Sequence, residues 1–192
     1  MPSLLLCSGN PGKLVELRAL LPREIDVLSL ADVGLASDLP ENGGTLLANA
    51  LEKARFAFAH AGLPCLADDT GLEVDALSGR PGVRSARYAG EAKDPYANME
   101  LLLRELERAD DRSARFRTVL ALVTADGEHT FEGIVEGEIA KAPSGKGGFG
   151  YDPVFRPKGF TTTFAEMDAA TKNSIGHRGR AMRSFLEFLT TN

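Results

Sequence analysis

The chain has no tryptophan, two cysteines and three histidines among 192 residues, and it is short of positive charge, with 22 basic against 27 acidic side chains. A net charge of −5 argues against a general binder of nucleic acid or anionic membrane, which carries a basic excess. It leaves room for a local basic pocket that takes a small anion. Cys7 and Cys65 sit inside the apolar runs Leu4-Leu5-Leu6-Cys7 and Leu63-Pro64-Cys65-Leu66. Neither metal-ligand spacing nor a disulfide framework is present, so buried free thiols in a reducing compartment are expected. No apolar stretch approaches the ~20 residues needed to span a bilayer, and Met1-Pro2-Ser3 shows no basic leader. The expectation is a cytoplasmic chain with neither membrane nor nucleic acid as partner.

What is present is enough apolar residue, 43%, for a sizeable core, without repeats or low-complexity segments. Ser3–Cys7 reads as a buried strand, Ser8 to Lys13 as a turn, and Leu14, Leu17 and Leu21 as one face of a helix. A second strand is expected at 25–28. A long helix follows from Thr45 to about Ala61, with Leu47, Ala50, Leu51, Ala54 and Phe58 on its apolar face and Thr45, Asn49 and Lys53 as a separate polar stripe. A short strand at 64–67 runs into Asp68-Asp69-Thr70-Gly71, and the extended pattern resumes at Leu72. A helix is expected from Pro95 to about Arg108, then strands at 114–125 and 128–140 across Asp126-Gly127, a hairpin signal. The second of these strands alternates Phe131, Val135 and Ile139 with Glu128, Glu132, Glu136 and Glu138, which describes a sheet with one wet face. A glycine-rich loop at 144–150, a polar segment through Lys172 and an amphipathic helix from about His177 to Leu189 complete the chain. Strands alternate with helices early and a hairpin comes later, so the fold class is mixed α/β, with no linker long enough to separate independent domains.

Four segments carry chemistry-bearing residues. Ser8-Gly9-Asn10-Pro11-Gly12-Lys13 lies between a buried strand and a helix start, where backbone N–H groups and a lysine suit phosphate. Its spacing matches neither a Walker A loop nor a dinucleotide turn, and an ordinary strand-to-helix turn explains the same letters. Asp68 and Asp69 end an apolar strand, where ligands gather in α/β proteins. On extended backbone they point to opposite sides, so they need not share one role. One of them, with Glu41, suits Mg²⁺, which takes one or two carboxylates and completes its shell with water and phosphate; a capping or solvated acid is the plainer alternative. Gly148-Phe149-Gly150-Tyr151-Asp152 offers a stacking ring and an acceptor for a base, or simply a glycine-rich connection. His177 and Arg178 place cations at the start of a helix, against its dipole. A bound anion would resolve that conflict, and a solvated helix start would soften it.

In order along the chain, the Ser8–Lys13 segment, Ala67-Asp68-Asp69-Thr70-Gly71-Leu72, Pro81-Gly82-Val83-Arg84-Ser85-Ala86-Arg87-Tyr88, Gly148-Phe149-Gly150-Tyr151-Asp152-Pro153 and His177-Arg178 resemble the inosine triphosphate pyrophosphatase family, also called Ham1-like, in its bacterial branch. Two departures are Thr70 and Gly176, at positions where serine is common. The resemblance implies one domain over residues 1–192. Its fold would be an elongated mixed β-sheet with flanking helices, two lobes enclosing a nucleotide cleft, and a homodimer as the assembly. It implies Mg²⁺-dependent hydrolysis of ITP, dITP and XTP to the monophosphate and pyrophosphate, which cleanses the nucleotide pool. Carried over by position, Ser8, Gly9, Asn10, Pro11, Gly12, Lys13, Lys53 and Thr70 bind phosphates or sugar. Phe149, Gly150, Tyr151, Asp152, Lys172, His177 and Arg178 form the base end. Asp69 is the general base and a metal ligand, and Glu41 is the other metal carboxylate. A nucleotide-binding regulatory module without turnover is the competing class. A single-stranded nucleic-acid binder built on Phe149, Arg80, Arg84 and Arg87 is disfavoured by the acidic balance.

Overall fold

A computed structural model describes residues 3–191, so the Met1-Pro2 start lies outside the described residues. Among the described residues, seven strands form one sheet in the order β2-β1-β3-β5-β6-β7, with β4 paired to β3 outside this path. They are β1 (Ser3–Cys7), β2 (Asp26–Ser29), β3 (Cys65–Val74), β4 (Pro81–Gly82), β5 (Ser113–Thr124), β6 (Gly127–Ile139) and β7 (Phe155–Pro157). Five α-helices accompany them among the described residues: α1 (Pro11–Leu20), α2 (Leu46–Ala61), α3 (Pro95–Glu105), α4 (Ala169–Ile175) and α5 (His177–Thr191). Strand β1 runs parallel to β2 and to β3, whereas β4 and β7 are antiparallel to β3 and β6. The sheet is therefore mixed, as the alternation of elements implied.

The described chain divides into two compact units. The first comprises residues up to Asp69, Thr118–Gly133 and the chain from Arg178. Its core joins Leu4, Leu6, Leu66, Leu120 and Leu122 of the strands to Leu17 of α1 and to Ala181, Met182 and Phe185 of α5. The second comprises Thr70–Arg117 and Ile134–His177. There Leu72, Met99, Leu102, Phe116, Val135, Phe155 and Phe164 pack together, and Phe116 meets Phe155 edge-on at 4.7 Å. In each cluster the removal of these large apolar side chains from water favours the packed strands.

Three local expectations change. The apolar run at 64–67 does not stop at Asp68. Strand β3 runs ten residues in all, from Cys65 to Val74, because Arg178 and Asn49 give the two aspartates buried partners that let the extended backbone carry them. Pro11, Gly12 and Lys13 are the first turn of α1 rather than a loop. Asn10 caps this helix through its side chain on the Lys13 N–H, and Pro11 is pre-set for the first helical position. The polar segment through Lys172 folds as α4, capped by Asp168 on the Thr171 N–H, so seven residues suffice for two turns.

Candidate active site

The first unit holds a cluster of buried charge. Helix α2 is capped by Thr45 and turns Leu46, Asn49, Ala50, Lys53, Ala54 and Ala57 inward. The Asn49 and Lys53 stripe expected on a separate polar face thus lies on the buried one, and Leu47, expected inside, is exposed. The reason is chemical: acidic groups from β3 and from the segment before α2 supply partners where apolar residues would otherwise sit. Lys53 Nζ donates to Glu41 Oε1 at 2.6 Å and to the Asp68 carbonyl at 2.6 Å, and it lies 3.6 Å from Asp69 Oδ1. Burial works against its charge, but Asp69, Asp68 and Glu41 outweigh burial and hold the ammonium above its ordinary range. Asn49 Nδ2 donates to Asp69 Oδ2 at 3.0 Å.

Asp68 faces a different set. Its Oδ2 is 3.0 Å from Lys13 Nζ and 3.4 Å from Arg178 Nη2, and Arg178 Nη1 also pairs with Glu16. Burial favours the neutral acid, yet Lys13, Arg178 and Lys53 overcome it and hold Asp68 well below the usual carboxylate range. Asp69 moves the other way. Burial pushes it up and the charge of Glu41 adds to this, while Lys53, Lys13 and the Asn49 amide only partly offset them. Two adjacent carboxylates driven apart in this manner are a recognised arrangement for acid–base work, and Asp69 is the one whose surroundings favour the neutral acid.

Arg178 stands at the start of α5, as its position next to His177 implied. The dipole conflict there is met by Glu16 and Asp68 of the protein itself. With 3% exposure, Arg178 is neither a solvated helix start nor dependent on a bound anion for its partner. Ser8 and Asn10 stand at the turn before α1, where the Ser8 hydroxyl accepts from the Asn10 N–H. Gly9 has no room for a side chain, since a Cβ would lie 2.3 Å from the Ser37 carbonyl oxygen.

The second unit holds the other predicted group. Asp152 Oδ2 accepts from the Phe149 N–H at 2.7 Å and from Lys172 Nζ at 2.6 Å, and both charged side chains are buried. Lys172 Nζ also lies 4.8 Å above the Phe149 ring, within cation–π range. Gly148 is required here: its φ is +70°, and a Cβ would meet Asp152 Oδ2 at 2.2 Å. The loop is therefore a folded device rather than a slack connection. Tyr151 turns into the core and donates its hydroxyl to the Ser85 carbonyl at 2.8 Å. Gly150, beside it, also has positive φ, at +61°. His177 stacks on Phe116 with centroids 4.6 Å apart. Thr70 follows Asp69 along β3 and is half-buried.

A family model described as the Ham1 family matches residues 4–188. The chain belongs to the Ham1 family. Within it, this Ham1 chain is 48% identical to the dITP/XTP pyrophosphatase of Christiangramia forsetii, over 97% of its own length and 98% of that protein. It is 50% identical to the dITP/XTP pyrophosphatase of Porphyromonas gingivalis, with 98% of each covered. Among solved structures it resembles a HAM1 protein from Coxiella burnetii with a TM-score of 0.91 and 41% identity, over all of both chains. The sequence left out Glu16 and Asn49 as site residues and gave Asp68 no role of its own. Two spacings pointed to the first two: Glu16 lies three residues beyond Lys13 on α1, and Asn49 one turn before Lys53 on α2.

The residues present fit a magnesium ion by the chemistry of their donors. Glu41 and Asp69 bring two carboxylates to one lysine, and Mg²⁺ takes one or two carboxylates together with water and phosphate oxygens. Among the described residues no group of three or more His, Cys, Asp or Glu forms an all-protein cage, which that habit does not require.

Proposed function

We propose that this chain hydrolyses the deaminated purine nucleoside triphosphates dITP, ITP and XTP between the α and β phosphates, releasing the monophosphate and pyrophosphate and so cleansing the nucleotide pool. The observation that carries the reading is Asp69: a buried carboxylate 3.6 Å from Lys53, the lysine that also pairs with Glu41, in a chain about half identical to dITP/XTP pyrophosphatases along its whole length.

Phosphoanhydride cleavage by water calls for positioning and charge neutralisation more than for covalent chemistry. In this reading Asp69 takes the proton of the attacking water, and the leaving pyrophosphate departs on the opposite side of the phosphorus. Lys13 and Lys53 neutralise the triphosphate, and Ser8, Gly9, Asn10, Pro11, Gly12 and Thr70 bind the phosphates and sugar. Glu41 and Asp69 would hold Mg²⁺. When bound, that ion neutralises phosphate oxygens and makes the scissile phosphorus more electrophilic. Phe149 stacks on the base, and Gly150, Tyr151, Asp152, Lys172, His177 and Arg178 complete the base end. Donors aimed at a 6-oxo group meet a 6-amino donor in ATP, a mismatch of buried polar groups that discriminates by up to ~10⁴-fold. Residues 1–192 act as one domain, in a cytoplasmic homodimer; no helix among the described residues is long and apolar enough to cross a membrane.

The test is pyrophosphate release on mixing the protein with Mg²⁺ and, in turn, ITP, dITP, XTP, GTP and ATP. Rapid release from the first three and little from ATP is expected. Binding without release would identify a regulatory module, and equal efficiency on ATP and ITP would sink the selectivity account.

A further inference from the structure

Asn49 is buried in the second turn of α2, and both ends of its amide are in use. Nδ2 donates to Asp69 Oδ2 at 3.0 Å, and Oδ1 accepts from the Gly43 N–H at 2.7 Å. The orientation of the amide follows from its partners, since a backbone N–H only donates and an ionised carboxylate only accepts. Gly43 lies two residues beyond Glu41, in a segment without regular structure. Its neighbour Asn42 is held from the same helix by Glu52, which accepts from the Asn42 N–H at 2.7 Å and from its side-chain amide at 2.8 Å. A single side chain therefore reaches both the strand that carries Asp69 and the segment that carries Glu41.

We propose that Asn49 is a positioning residue for the hydrolysis proposed above: it ties Asp69 Oδ2, leaves Oδ1 beside Lys53 as the oxygen that meets water, and sets the distance between Asp69 and Glu41. The inference rests on that functional reading. A carboxylate free to rotate presents either oxygen and loses the alignment that in-line attack needs, whereas one fixed by a buried amide donor presents one. Outer partners that orient metal-ligating side chains, the role proposed above for Asp69, commonly matter by about 10–100-fold. A helix position chosen for packing alone would take an apolar residue. Here an amide fills it, although burying one is costly unless both ends are bonded.

Two variants separate the two bonds. Asn49→Asp keeps an acceptor for Gly43 but turns a carboxylate oxygen toward Asp69. Asn49→Ser is too short for either bond and adds no charge. Steady-state kinetics with ITP and saturating Mg²⁺ should show kcat falling about 10–100-fold in Asn49→Asp and about 10-fold in Asn49→Ser, with KM changed little. Hydrogen exchange at the Gly43 amide, read by mass spectrometry on nucleotide-free protein, should stay slow in Asn49→Asp and become fast in Asn49→Ser. If Asn49→Asp does not fold, Asn49→Ser decides alone. Folded variants that keep more than half of the wild-type kcat, or an unchanged Gly43 exchange rate in Asn49→Ser, overturn the inference while the functional reading stands. A wild-type protein that releases no pyrophosphate overturns the functional reading, and this inference with it.

Discussion

Asp68 Oδ2 lies between Lys13 Nζ at 3.0 Å and Arg178 Nη2 at 3.4 Å, whereas the next residue, Asp69, accepts from an amide and stands 3.6 Å from Lys53. The extended backbone turns the two carboxylates apart, so each is set by a different neighbourhood. One is held ionised and the other is pushed toward the neutral acid.

Their removal should have opposite effects on stability. Asp68 has a depressed pKa in the fold, so its stabilisation is full above the unfolded value of ~3.9 and is lost as pH falls below it. Asp69 has a raised pKa, so its favourable contribution belongs to low pH and is lost as pH rises through its folded value. At pH 7, Asp68→Asn should lower the melting temperature, and Asp69→Asn should leave it unchanged or raise it. Both differences should shrink toward pH 3. Turnover of Asp69→Asn should fall by ~10²–10⁴-fold, since an amide takes no proton. More than a third of wild-type activity remaining would remove Asp69 from the role of base.

Arg178→Gln tests the other side of that pair. The substitution leaves the buried Asp68 and the half-buried Glu16 without their guanidinium. Removing one partner of a buried ion pair costs about 3–5 kcal/mol, which for a chain of this size lowers the melting temperature by about 10 °C. A melt of the nucleotide-free variant within 2 °C of wild type, a change below about 1 kcal/mol, would show that the pairs with Glu16 and Asp68 contribute little.

Lys172→Met tests the loop at 148–152. Asp152 keeps the Phe149 N–H but loses its counter-charge, and the Phe149 ring loses the ammonium above it. The expected outcome is a loss of about 3 kcal/mol in stability and a raised KM for ITP, with kcat less affected. Equal losses in kcat and kcat/KM at unchanged KM would point to a part in the chemical step instead.

Chelation tests the divalent ion. Excess EDTA should bring pyrophosphate release from ITP to background, and added Mg²⁺ should restore it. Glu41→Gln should raise the Mg²⁺ concentration needed for half-maximal rate by about 10-fold or more. Full activity in EDTA would exclude the ion from the reaction.

Local chemistry was enough to read much of this protein from its residues. The apolar run Ser3–Cys7, the Asp126-Gly127 turn with its alternating partner strand, and the long helix ending before Gly62 each have causes within a few residues: burial period, turn conformation and helix capping. The segments from Ser8 to Arg178, taken in order, were also enough to point to the Ham1 family, whose model matches residues 4–188. What the tertiary structure alone decided is which charges meet. Asp68 and Arg178 are 110 residues apart, and Lys53 lies 15 residues before the carbonyl to which it donates, so no periodicity relates them. The inward turn of Asn49 and Lys53 on α2, the separation of Asp68 from Asp69 and the pairing of Arg178 with Glu16 all depend on desolvation and on charges brought close by packing. Those terms act through space at distances of a few ångströms, and a linear sequence does not contain such distances.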